Sequence, residues 1–101
     1  MKVNVQTPNF SVKDELLIFV EKKLAKLEQF HPKIVFADVF LKVQGTSEKE
    51  DKAVEVLLSV PGEDIMVKKE TKTFEKAIDG AVGTLERKLK KRGQKQKAYL
   101  Q

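Results

Sequence analysis

Apolar residues recur along this chain with two different periods, and the order in which those periods follow one another leaves few folds open. Val3 and Val5 alternate with Lys2, Asn4 and Gln6 before Thr7, Pro8 and Asn9, which reads as a short strand ended by a turn. The period then changes. Ser11 with Asp14 three residues on predicts a capping-box-like helix start, and Val12, Leu16, Val20, Leu24 and Leu27 hold one apolar stripe until Phe30, His31 and Pro32 stop it. From Ile34 to Gln44 the alternation returns, with Val35, Ala37, Val39, Leu41 and Val43 on one side. A polar loop is expected over Gly45 to Asp51, then a third strand carrying Val54, Val56, Leu58 and Val60. Pro61, Gly62, Glu63 and Asp64 predict a tight connection into a fourth strand, Ile65 to Lys69.

Thr73 is placed to cap a last helix in which Phe74, Ile78, Ala81, Val82, Leu85 and Leu89 keep helical spacing, with an end expected near Gly93. The order is βαβββα. A sheet that is apolar on one side must be covered on that side, so both helices belong on the same face of a four-stranded, mostly antiparallel sheet. The expected fold is a two-layer α+β sandwich, on the general plan of double-stranded RNA-binding domains. With 101 residues and 41% hydrophobic content, one domain over 1–101 is expected, with a basic C-terminal tail at about 93–101.

Charge is gathered at one end. Arg87, Lys88, Lys90, Lys91, Arg92, Lys95 and Lys97 all lie in the last fifteen positions with no acidic residue after Glu86. The chain has twenty Lys and Arg against fifteen Asp and Glu, a net +5, so without those seven the balance would be −2. Such a local cationic cluster is the footprint of a phosphate-rich partner, because Lys and Arg release the counterions condensed on nucleic acid. A solvated helix end is the plainer account of the same composition. Winding the last helix at about 100° per residue from Phe74 puts the core stripe between roughly −20° and 80°. Glu75, Asp79 and Glu86 then fall at about 100° to 140°, and Arg87, Lys88, Lys91 and Lys95 at about 220° to 320°. The first helix is divided in the same way, with Glu21 and Glu28 on one side of its stripe and Lys22 and Lys26 on the other, Lys23 bordering them. Two basic flanks that faced each other would form a cationic groove across the helical layer. Gly80 and Gly83 sit outside the apolar stripe, and Gly80, at about 240°, would let a phosphate backbone come close.

Other chemistries find little support. The chain has no cysteine, so disulfides, thiolate metal sites and a cysteine nucleophile are excluded. His31 is the only histidine and belongs to the helix-ending turn. The carboxylates are scattered, no glycine-rich phosphate loop joins a strand to a helix, and Phe40, Leu57 and Met66 are expected on the outer sheet face as loose cover. The longest apolar run, Leu16 to Val20, is far short of a membrane span, and no signal peptide is read, so a cytoplasmic protein is expected.

The segment Phe19-Val20-Glu21-Lys22-Lys23-Leu24-Ala25-Lys26-Leu27-Glu28-Gln29-Phe30 closely resembles the bacterial ribosome hibernation-promoting factors, also known as ribosome-associated inhibitor or protein Y relatives. So does Ala77-Ile78-Asp79-Gly80 leading into Leu85-Glu86-Arg87-Lys88-Leu89-Lys90, and the resemblance covers nearly the whole chain. It implies the βαβββα order and binding to the small ribosomal subunit and its ribosomal RNA, in the channel that holds messenger and transfer RNA at the A and P sites. By that resemblance the RNA-contacting residues are basic positions on the two helices, here Lys22, Lys26, Arg87, Lys91 and their neighbours Lys23, Lys88, Lys90, Arg92 and Lys95, to which the helical winding adds Gly80. No catalysis, cofactor, metal, membrane or small-molecule substrate is expected, and the protein off the ribosome is expected to be a monomer. The chain departs from the family pattern at Glu75, where an aromatic is frequent, and it stops at Gln101, as short members do. A free-standing double-stranded RNA-binding module is the alternative function.

Overall fold

Strand β1, Lys2–Gln6, lies parallel to β2, Phe36–Thr46, in register from Lys2 opposite Phe36 to Gln6 opposite Phe40. A parallel neighbour cannot be reached by a hairpin, and helix α1, Asp14–Ala25, is the crossover between them. The rest of the sheet is antiparallel: β2 pairs with β3, Lys49–Val60, and β3 with β4, Glu63–Thr71, in the order β1-β2-β3-β4. Helix α2, Phe74–Leu100, follows. The computed structural model describes the backbone of residues 1–46 and 49–100 and the side chains of 1–45, 51–62 and 64–91. This is the α+β sandwich expected, a four-stranded mixed sheet with two helices on one face.

The alternating residues explain the core. Ala37, Val39 and Leu41 of β2, Val54, Val56 and Leu58 of β3, and Ile65 and Val67 of β4 are buried, and register puts them on one face of the sheet. The helical stripes close over that face through Val20, Leu24 and Leu27 on one side and Ala77, Ile78, Ala81, Leu85 and Leu89 on the other. Pro61 and Gly62 turn β3 into β4, with Gly62 at φ 98°, a left-handed conformation that a side chain would strain. Asn9 extends the β1 edge without being a strand: its amide donates to the Val43 carbonyl at 2.8 Å, and its carbonyl oxygen accepts from the Val43 N–H at 3.2 Å.

Local expectations are corrected in five places. Helix α1 starts at Asp14 with Lys13 as its extended N-cap and no side-chain capping bond, so Ser11 does not form the capping box. The chain past Ala25 tightens into a 3-10 turn, Lys26–Gln29, in which Leu27 stays buried. Val35 precedes β2 and is 58% exposed, not part of the inward row. The loop expected over Gly45 to Asp51 is mostly strand, because β2 runs to Thr46 and β3 begins at Lys49, so the backbone ladder continues past the apolar alternation of the sequence. Finally, α2 does not stop near Gly93. It continues to Leu100, since the Lys, Gln and Ala that follow are strong helix formers and together offset a single glycine's cost of about 1 kcal/mol. The expected Thr73 cap is present: its Oγ1 accepts from the Lys76 N–H at 3.2 Å.

Candidate nucleic-acid interface

The positions of the basic side chains follow from how each helix is rotated about its own axis, and three contacts fix that rotation. The first joins the helices. Lys23 Nζ of α1 lies 3.0 Å from Asp79 Oδ1 of α2 and 5.4 Å above the Phe19 ring. The flank of α2 that faces α1 is therefore the acidic one, to which Glu75 and Glu86 also belong by helical winding. The second contact is at the far end of the seam, where Lys90 Nζ sits 5.0 Å over the ring of Phe30, just after the 3-10 turn. The third lies on the opposite flank of α2. A Cβ built on Gly80 would stand 3.7 Å from Cγ and Cδ of Lys69 and 3.9 Å from its Cε, so the aliphatic stem of this β4 lysine runs across the glycine.

These contacts rearrange the expected groove. The two basic flanks do not face each other: the basic side of α1 meets the acidic side of α2 at Lys23 and Asp79. Arg87 and Lys91 fall within about 20° of Gly80 on the helical wheel and share the flank that looks toward β4, with Lys88 beside them. Lys90 lies about 80° from Gly80, toward α1. Arg87 is held in place, its Nη2 donating to Thr84 Oγ1 at 3.0 Å, while its Nη1 would lie 3.8 Å from a Cβ built on Gly83. Lys22, Lys26, Lys88 and Lys91 are exposed and have no ion pair among the described residues. The side chains of Arg92 and Lys95 lie outside the described residues, although the backbone of both is in α2.

Gly80 also has a packing role that its place outside the apolar stripe concealed, since it accommodates the Lys69 stem. Lys69 itself was missed. Its signal was present, because 65, 67 and 69 share one phase of β4 and the first two are buried, which marks Lys69 as a lysine turned toward the helical layer. The lysines near it in sequence behave differently: Lys68 pairs with Glu55 at 3.1 Å and Lys72 with Asp51 at 2.7 Å. His31 serves its turn, with Nδ1 accepting from the Lys33 N–H at 3.3 Å. On the outer sheet face Met66 is 51% exposed and Leu57, opposite it, is half-buried. An open cleft of about 350 Å³ between the start of α1 and the start of α2 is lined by Phe10, Leu16, Phe19, Glu15 and Glu75 and lies away from the basic flank. Among the described residues no helix is long and apolar enough to cross a membrane.

Relatives share both the sequence and this architecture. The chain is 35% identical over 101 residues to the ribosome hibernation promoting factor of Pseudomonas putida, covering 100% of this chain and 95% of that one. It is 33% identical over 99 residues to the ribosome hibernation promoting factor of Escherichia coli, covering 98% and 100% respectively. In three dimensions it is similar to the crystal structure of the Thermus thermophilus Protein Y N-terminal domain, with a TM-score of 0.78 at 29% identity over 90% of this chain and 98% of that one. The model of the family described as Sigma 54 modulation protein / S30EA ribosomal protein matches residues 3–97, which takes in β1 from its second residue, the other three strands, α1 and the length of α2 through its basic run. With the sheet, both helices and the sequence along them all in agreement, the chain belongs to that family.

Proposed function

We propose that this chain is a ribosome hibernation factor, acting as a single ribosome-binding unit over 1–101 that binds the small ribosomal subunit and silences translation by occupancy. The single observation that carries the reading is its kinship, end to end, with proteins named ribosome hibernation promoting factor. The arrangement of charge supports it. Lys22 and Lys26 on α1 and Arg87, Lys88 and Lys91 on α2 present exposed cations that no described carboxylate neutralises, the form in which Lys and Arg replace counterions on an RNA backbone. In this reading those cations hold ribosomal RNA phosphates while the folded body fills the channel of messenger and transfer RNA at the A and P sites. No bond is made or broken, the protein works in the cytoplasm, and off the ribosome it is a monomer.

The test is co-sedimentation with purified small subunits. Replacing Lys22, Lys26, Arg87 and Lys91 together by Ala should abolish pelleting yet leave stability within about 1 kcal/mol, because exposed charges contribute little to folding. Pre-bound messenger and initiator transfer RNA should compete with the wild type, since two ligands for one volume exclude each other reciprocally. Simultaneous occupancy with P-site transfer RNA, or equal affinity for plain RNA duplexes, would replace this reading with that of a general double-stranded RNA binder.

A further inference from the structure

We infer that Lys69 of β4 contacts RNA phosphate, so that the binding surface extends beyond the helices, from α2 around to the β4 edge. The inference rests on the ribosomal reading above and specifies where on the chain that partner is held.

The seam is poorly suited to a polyanion. Its contact across the helices is an ion pair, Lys23 with Asp79 at 3.0 Å, and the α2 flank that lines it carries Glu75 and Glu86 as well. A phosphate entering there would have to displace Asp79 from Lys23 and lie against further carboxylates, so Lys23 is already committed inside the protein. Lys90 is engaged too, over the Phe30 ring.

On the other flank the arrangement reverses. Lys69 projects from the inward phase of β4, and its stem lies along Gly80 with Cγ, Cδ and Cε all within 3.9 Å of where a Cβ would stand. Because that position of the helix has no side chain, the stem can lie flat against α2, on the flank where helical winding also puts Arg87 and Lys91. Among the described residues Lys69 has no acidic partner, in contrast with Lys68 and Lys72, whose charges are taken up by Glu55 and Asp51. Lysine rotamer entropy is an ordinary cost of binding through a lysine, and packing the stem on the helix has removed part of it before the ligand arrives. Arg87 is prepared in the same sense by its bond to Thr84. Two cations from different elements, both positioned by the fold, thus flank the bare stretch of α2 around Gly80 and Gly83. The partner they fit is a phosphodiester backbone, which presents successive anions along a line.

The experiment measures binding to purified small subunits as a function of salt for the wild type, Lys69→Gln, Lys69→Arg and Lys68→Gln. Glutamine keeps the Cγ and Cδ that lie on Gly80 and replaces Cε and its ammonium by a neutral amide, and a thermal melt of each variant checks the fold. Lys69→Gln should weaken binding roughly tenfold, as expected for one charge-assisted phosphate contact, and lower the slope of log affinity against log salt by about 0.7 to 0.9. Lys69→Arg should restore both, and Lys68→Gln should behave as wild type. Wild-type binding with Lys69→Gln indistinguishable from Lys68→Gln overturns this inference alone. A wild type that does not bind subunits overturns the ribosomal reading, and this inference with it.

Discussion

Replacing Gly80 by Ala separates what the glycine costs the fold from what it permits on the surface. A glycine inside a helix destabilises it by about 0.5 to 1 kcal/mol relative to alanine, because more backbone freedom is lost on folding. Whether that amount can be recovered depends on what the new methyl meets. Here its three nearest neighbours beyond the helix's own backbone are the Cγ and Cδ of Lys69 at 3.7 Å and its Cε at 3.9 Å, ordinary van der Waals distances to a flexible side chain. The whole gain should therefore appear. For a domain of about this size it corresponds to a rise in Tm of about 2 to 8 °C, read by calorimetry or circular dichroism. The Lys69 stem needs little or no displacement, so binding to small subunits should stay within about twofold of wild type. Gly80→Leu should act differently, lifting the stem off the helix and weakening binding while the helix is retained. An unchanged or lowered Tm for Gly80→Ala would refute the open packing ascribed to this position, and full binding by Gly80→Leu would refute the role given to the Lys69 stem.

Two further perturbations test the frame that holds this surface. In a double-mutant cycle of Lys23→Met and Asp79→Asn, the coupling measured by denaturant unfolding should be no more than about 1 kcal/mol, because both side chains are partly solvated; a coupling several times larger would mean a seam drier than described. Asn9→Ala removes both side-chain bonds to Val43 and should cost about 1 to 3 kcal/mol at roughly 0.5 to 1.5 kcal/mol per bond, with unchanged stability showing that the β1 edge does not depend on the clasp.

The fold was legible where burial and periodicity coincide. Val54, Val56, Leu58 and Val60 alternate because β3 has helices on one side and solvent on the other, and Phe74 to Leu89 repeat helically because α2 buries one stripe. Where burial ends, the pattern says less. At the ends of β2 and β3, where Gly45 stands opposite Glu50 and Thr46 opposite Lys49, the residues are glycine or polar and the apolar alternation has stopped, so the sequence there reads as a loop. Gly93 reads as a stop although local propensity carries the helix past it. The division of each helix into acidic and basic flanks was readable, being a property of one helix. Which flanks face each other was not, since that depends on contacts between residues far apart in sequence, of which Lys23 with Asp79 is the decisive one. Lys69 was hidden for a different reason: lysine is ordinarily assigned to solvent, and only its phase with Ile65 and Val67 reveals that it points inward.

Helix α2 is 27 residues long, about 40 Å at 1.5 Å per residue, and the seven cations from Arg87 to Lys97 all lie in its second half, while the rest of the chain carries a small excess of negative charge. A charge distribution of this kind has a large permanent dipole moment as well as a net charge. Near an extended anionic surface the field therefore exerts a torque and turns the molecule so that the C-terminal half of α2 leads before any atom touches. Encounters then begin in a narrow range of orientations, which raises the association rate at low ionic strength and makes that rate, rather than the lifetime of the bound state, the quantity most sensitive to salt.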